Sequence, residues 1–234
     1  MIVLGIETST PQTAVALGTD REIIASTRLS AGRTHHEAVI PALEQILRWT
    51  NTPLTSIGGV AVGIGPGLFT GLRVGVEIGK SLAQSLRIPI VGIPSLDVLA
   101  FSVRHSRRPI GAAIDARRGE IFACVYRPVP GGVAREGEFM VVSPERFTAE
   151  LEALGEEVLL VGNGATLYRE QFEKLGAQIE FASIAQAHPE ATSLVELAVP
   201  RFHREEFDRL YDVVPLYLRK SDAEIAWDRR RAAD

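Results

Sequence analysis

Short apolar runs alternate with amphipathic stretches along this chain, and the alternation occurs twice. Residues 3–9 (Val-Leu-Gly-Ile-Glu-Thr-Ser) are apolar up to a carboxylate, Glu7, and lead through a polar turn to a second apolar run at 14–17. Residues 112–118 (Ala-Ala-Ile-Asp-Ala-Arg-Arg) do the same, reaching Asp115 and turning at Gly119 into 122–125. Two such runs joined by a short polar turn predict a β-hairpin, here repeated within one chain. The first hairpin is followed by a strand over 23–29 and a helix over 35–49, with Thr34 as its N-cap and Val39, Ile40, Leu43, Ile46 and Leu47 on one side. A buried strand over 60–64 and a helix reaching residue 86 complete the half. The second hairpin is followed by a strand over 138–142 and a helix ending at 154, with Ser143 as N-cap and Pro144 in its first turn. A strand over 158–161 and a helix over 165–175 come next, joined by Gly162-Asn163-Gly164. Each half therefore reads βββαβα, and the expected architecture is α/β with two duplicated lobes. The lobes are placed at 1–108 and 109–222, meeting at the basic linker 104–109, with a tail over 223–234. That tail carries Arg229-Arg230-Arg231 without an apolar period, the pattern of a solvated charge run rather than of an RNA contact.

One helix breaks the usual pattern. Gly71, Gly75 and Gly79 stand at i, i+4 and i+8, and Ala83 continues the row. Glycine inside a helix costs about 1 kcal/mol relative to alanine, so a row of it implies that another backbone comes very close. The expectation is a docking seam for another chain, flanked by Leu72, Val76, Val39, Leu43 and Leu47. The competing reading is an internal contact between this helix and its own sheet.

At 234 residues, 46% of them hydrophobic, the chain is long enough for one large domain or two small lobes with a proper core. A net charge of −4 lacks the basic field of a stand-alone nucleic-acid binder, so any RNA role needs a partner. The single cysteine, Cys124, cannot form an internal disulfide and sits in an apolar run, as a core residue does. With no basic leader and no apolar run of membrane-spanning length, the expectation is a cytoplasmic protein.

Familiar chemical motifs fail on spacing. Gly79-Lys80-Ser81 ends like a phosphate loop, but the opening glycine position holds Val74 and the triplet lies inside a helix. Gly63-x-Gly65 begins like a dinucleotide fingerprint whose third glycine is Leu68. His35-His36-Glu37 lacks the i, i+4 partner that two helical metal ligands need, since Val39 and Ile40 stand there. No serine or cysteine lies in a nucleophile elbow. Glu7 and Asp115 remain. On duplicated lobes they end equivalent strands and face one cleft, where Thr8, Ser9, Gly162 and Gly164 could approach a nucleotide such as ATP or ADP. Alternatively they merely close their turns, and Gly162-Asn163-Gly164 is a tight strand-to-helix connection.

Three segments together resemble the TsaB (YeaZ) family, the non-catalytic partner subunits of bacterial threonylcarbamoyladenosine tRNA modification. They are Leu4-Gly5-Ile6-Glu7-Thr8-Ser9, residues 63–73 (Gly-Ile-Gly-Pro-Gly-Leu-Phe-Thr-Gly-Leu-Arg) and residues 114–121 (Ile-Asp-Ala-Arg-Arg-Gly-Glu-Ile). Residues 215–219 (Pro-Leu-Tyr-Leu-Arg) also fit, so the resemblance spans nearly the whole chain; Glu7 replaces a commoner aspartate and Leu68 a common serine. The resemblance implies an actin-like ATPase or sugar-kinase fold, and a subunit that dimerises with and stabilises a TsaD-type transferase. It further implies a TsaE-type ATPase docking on the pair, a homodimer when TsaD is absent, and contact with tRNA only through the complex. The His-x-x-x-His metal pair of TsaD falls here on Ser95 and Leu99, which implies no metal site and no catalytic residues. The rival readings are an active actin-like ATPase or small-molecule kinase, which would turn over ATP, and a metallopeptidase, which would need bound zinc.

Overall fold

The computed structural model describes residues 1–30 and 35–219. The expected N-cap Thr34 and the tail 223–234 lie outside the described residues. In the first half, strands β1 (Ile2–Glu7), β2 (Thr13–Gly18) and β3 (Ile23–Leu29) form a meander, followed by helix α1 (His35–Thr50), strand β4 (Ile57–Gly65) and helix α2 (Phe69–Leu86). Strand β5 (Ile90–Pro94) and helix α3 (Ser95–Phe101) close it. In the second half, β6 (Ile110–Arg117), β7 (Glu120–Val129) and β8 (Gly132–Val142) precede α4 (Pro144–Ala153) and β9 (Val158–Val161). Two short helices, α5 (Asn163–Leu167) and α6 (Arg169–Phe172), strand β10 (Ile179–Phe181) and helix α7 (Ala191–His203) follow.

The duplication shows in strand order. One sheet runs β3-β2-β1-β4-β5 and the other β8-β7-β6-β9-β10, position for position. In both, the first strand is antiparallel to the second and parallel to the fourth. Each half thus adds one strand and one helix to the expected βββαβα. Strand β5 escapes a reading by alternation because its sheet is covered on both faces, and Gly92 and Pro94 interrupt it. Strand β10 has only three residues. The helix expected over 165–175 is broken at Tyr168, whose backbone (φ −105°, ψ 29°) is not helical.

The molecule is layered helix–sheet–helix–sheet–helix. Helices α1 and α2 cover one face of the first sheet, with Leu4, Ile6, Val15, Leu17, Val39, Leu43, Ile46, Val60, Val62 and Val76 in their shared core. Each large aliphatic side chain fully buried there contributes about 1.5–3 kcal/mol. Helix α7 covers the opposite face through Leu194, Val195, Ala198 and Phe202. Helix α3 is shared: Val98 joins the core under α7, whereas Leu96, Leu99 and Ala100 pack on the second sheet. Helices α4 to α6 close the far side. The expected division at residue 108 therefore separates the sheets but not the helices. The span 109–222 is corrected accordingly, because α7 and Val213 return to the first lobe.

The glycine row is also corrected. Gly71, Gly75 and Gly79 face the protomer's own first sheet. A Cβ on Gly71 would collide with the Thr8 carbonyl, one on Gly75 with the Thr8 hydroxyl, and one on Gly79 with Val62. The Thr8 hydroxyl donates a hydrogen bond of 2.7 Å to the Gly71 carbonyl, so helix and hairpin turn touch directly. Leu72, Val76, Ala83, Val39 and Leu43 are buried, and Leu47 is half-buried against the same core. The row is an internal helix–sheet seam rather than a docking surface. The sign of one substitution tests this assignment. On an open face Gly75→Ala would stabilise the helix by about 1 kcal/mol; packed on Thr8, overpacking outweighs that gain and the variant loses about 1–2 kcal/mol, read from urea unfolding.

Candidate functional site

Glu7 at the end of β1 and Asp115 near the end of β6 occupy equivalent places and make equivalent turns. Glu7 Oε1 accepts from the Ser9 backbone N–H at 2.7 Å, and Asp115 Oδ1 accepts from the Arg117 N–H at 2.8 Å. Beyond that they diverge. The Ser95 hydroxyl donates to Glu7 Oε2 at 2.9 Å while accepting from the Gly65 N–H at 3.2 Å. Glu7 thereby ties together the ends of β1 and β4 and the start of α3. Thr8 and Ser9 are fully buried, and the Leu68 N–H donates to the Ser9 carbonyl at 2.7 Å, covering the turn. Asp115 holds Arg117 at 3.5 Å, and its own N–H donates to Asn163 Oδ1 at 3.1 Å. Gly162, at φ +113°, and Gly164 lie against the backbone of Ala113, where side chains would not fit. The six residues form two buried knots, one per lobe, and none of them lines the cavity between the lobes.

Burial pushes the Glu7 carboxyl above its ordinary value, against the opposing hydrogen bonds from Ser9 and Ser95. Two histidines flank the same hairpin turn. His35 Nδ1 lies 2.7 Å from the Thr13 hydroxyl, and His188 Nδ1 lies 3.0 Å from that of Thr10. Burial lowers the pKa of both.

The segment over 208–219, whose structural role the sequence pattern did not disclose, joins the two lobes. Asp208 Oδ2 accepts from the Gly92 N–H at 2.8 Å and Oδ1 from Arg201 at 3.0 Å. The Leu216 N–H donates to the Ile64 carbonyl at 2.7 Å. Tyr217 stacks on Phe69 with centroids 4.9 Å apart, and its hydroxyl accepts from Arg73 Nε at 2.8 Å. Arg219 then reaches the second lobe, donating to Glu120 at 2.7 Å and to the Ala116 carbonyl at 2.8 Å. Under this strap lies a cavity of about 490 Å³, walled by Leu68–Gly71 on one side and by Ala116, Arg117 and Phe122 on the other. A second joint links Asp97 of α3 to Tyr126 at 2.7 Å and to Arg135 at 2.8 Å. The only signal for the strap in the sequence was its match to the family motif at 215–219.

The positions aligned with a metal pair are structural. Ser95 is committed to Glu7 and Gly65, and Leu99 is buried among second-lobe apolar residues. Among the described residues, no three His, Cys, Asp or Glu side chains are placed to hold a metal ion. Cys124 is buried and its thiol is pushed up to about 11, mainly by burial, as befits a core residue. No helix among the described residues is long and apolar enough to cross a membrane.

The two-sheet architecture is that of actin-like ATPases and sugar kinases. The activator of 2-hydroxyisocaproyl-CoA dehydratase from Clostridium difficile, solved with bound ADPNP, superposes with a TM-score of 0.53 over 89% of this chain and 99% of its own, at 14% identity. The family model described as TsaD: tRNA N6-adenosine threonylcarbamoyltransferase matches residues 23–227. YeaZ from Pseudomonas aeruginosa superposes with a TM-score of 0.80 at 26% identity, covering 93% of this chain and 99% of that one. The tRNA threonylcarbamoyladenosine biosynthesis protein TsaB of Haemophilus influenzae is 30% identical over 98% of this chain and 97% of its own length. The chain belongs to the TsaB (YeaZ) family within this TsaD-related group.

The Glu7 knot has a pH signature. A carboxyl whose folded pKa is raised contributes stability that is complete below its unfolded value near 4.5 and is lost as pH rises through the folded value. Glu7→Gln removes this loss. Denaturant unfolding is expected to show the variant gaining on the wild type as pH climbs above 4.5; a pH-independent difference would contradict the assignment.

Proposed function

We propose that this chain is a non-catalytic partner subunit in making N6-threonylcarbamoyladenosine on tRNA, dimerising with and stabilising a TsaD-type transferase that performs the chemistry on the adenosine next to the anticodon. The observation that carries this reading is the fate of Ser95 and Leu99. At the places where the catalytic relative is expected to hold its metal, one side chain is hydrogen-bonded into a structural knot and the other is core. The residues that the reaction would need at the cleft are those that hold this protein together.

With the glycine row inside, the partner surface moves to the solvent side of the same helices. Ile40 and Pro41 on α1 are exposed, and Val74 on α2 is half-buried between the exposed Arg73 and Glu77. Two chains of one fold carry matching α1–α2 layers, and laying one layer on the other gives a pseudo-twofold contact in which each helix pair meets its counterpart. A second copy of this chain would use the same contact when the transferase is absent. A TsaE-type ATPase docks on the pair. The net charge of −4 leaves tRNA binding to the assembled complex.

The double substitution Ile40→Glu and Val74→Glu tests the surface. It places two charges in the middle of the proposed contact without entering the core. The expected outcome is a loss of at least about thirty-fold in affinity for the TsaD-type subunit, the cost of about 2 kcal/mol at a contact centre, with melting of the isolated chain unchanged. Undiminished binding by the folded variant would overturn the proposed surface. Reconstituted tRNA modification separates the roles: activity is expected from the pair and none from this chain alone.

A further inference from the structure

A second cavity, of about 330 Å³, lies where the β5–α3 junction, α7 and the β7–β8 hairpin converge. That volume is within the range of small-molecule pockets. It shares no lining residue with the cavity under the strap. Tyr126 in its wall pairs with Ile110, the first residue of β6, whereas the Asp115 turn closes the other end of that strand. The second cavity therefore sits at the opposite end of the second sheet from the Asp115 knot.

Its polar side chains are anchored and still have donors to give. Tyr126 is fully buried, and its hydroxyl donates to Asp97 Oδ1 at 2.7 Å. Arg135 reaches the two Asp97 oxygens through Nη2 alone, at 3.1 and 2.8 Å, and its guanidinium lies 3.9 Å over the Phe139 ring. Arg201 gives Nη1 to the Gly92 carbonyl at 3.2 Å and Nη2 to Asp208 at 3.0 Å. Nε and Nη1 of Arg135 and Nε of Arg201 have no hydrogen-bond partner among the described residues. Asp208 is not part of the lining, so two guanidinium groups face the cavity against one carboxylate, Asp97. Both guanidinium groups are held in place without a ligand, so using their spare N–H groups costs little further ordering. Pro94, Val133 and Leu197 make the adjoining wall aliphatic. A surplus of positive charge beside an aliphatic wall complements a carboxylate on a short hydrocarbon chain.

We propose that this cavity binds a small aliphatic carboxylate, the carboxylate received by the spare N–H groups of Arg135 and Arg201 and the chain resting on Pro94, Val133 and Leu197. Simple acids and amino acids share this group; the ammonium of an amino acid would meet Asp97, whose Oδ2 accepts only from Arg135 among the described residues. The site uses none of the proposed partner surface, so it stands or falls apart from the proposed function.

Titration of the full chain followed by proton–nitrogen correlation NMR tests it with three probes of one chain length: hexanoate, norleucine and hexanamide. At least one of the two carboxylates is expected to saturate, with shifts centred on the amides of residues 92–97, 133–135 and 197–201. It is expected to bind about ten-fold or more tighter than hexanamide, which keeps the chain and lacks the charge. Tighter binding of norleucine assigns the ammonium to Asp97, and tighter binding of hexanoate assigns the site to simple acids. Arg135→Gln is expected to weaken the binding about ten-fold. Val133→Glu puts a carboxylate on the half-buried rim of the cavity, and it is expected to abolish binding with melting unchanged. Failure of both carboxylates to saturate, equal binding of hexanamide, shifts centred elsewhere, or binding that survives Val133→Glu would each overturn the proposal.

Discussion

The contact between the Thr8 turn and the glycine row of α2 sets the geometry of the first lobe. Thr8 donates to the Gly71 carbonyl, and the missing side chains at Gly71 and Gly75 let a hairpin turn rest directly on a helix. Because α2 sits this low, Val76 reaches the sheet core beside Val39 and Leu43, and Leu72 is buried against Gly65. The loop entering α2 then drops onto Ser9, and Gly65 comes within reach of Ser95. A buried glutamate becomes tolerable there because Ser9 and Ser95 both donate to it. An interior this dense resists volume changes of a single methyl group.

The same packing closes the carboxylate turn in each of the two duplicated lobes. Both lobes have the same strand order and the same carboxylate turn. In the first lobe, however, the turn is covered by the α2 loop. In the second, Asn163 and the two adjacent glycines hold β6 and α5 together. A strap from the last part of the described chain then fixes one lobe to the other through Tyr217 and Arg219. The outer layer of α1 and α2 faces solvent at Ile40, Pro41, Arg73 and Glu77.

Much of this was readable from the sequence. The repeated run ending in Glu7 and Asp115 gave both hairpins, and Ser143-Pro144 marked the start of α4, where Ser143 accepts from the Arg146 N–H. The spacing of Gly71, Gly75 and Gly79 correctly implied a very close approach but not which backbone approached. Helical periodicity identifies a side-chain-poor face without naming its neighbour. Here the neighbour is Thr8 at Gly71 and Gly75, 63 residues before Gly71, and Val62 at Gly79. The return of α7 to the first sheet, the sharing of α3 and the strap are likewise long-range facts, with no local pattern to announce them.

The central claim is that the buried seam organises this chain while the solvent side of α1 and α2 meets the transferase. Hydrogen–deuterium exchange on the chain, alone and bound to a TsaD-type subunit, tests both parts together. The account expects slow exchange at residues 71–79 in the free chain, and new protection on binding confined to the outer turns of α1 and α2. Fast exchange along the glycine row in the free chain, or binding-induced protection on the second lobe with none on these helices, would contradict it.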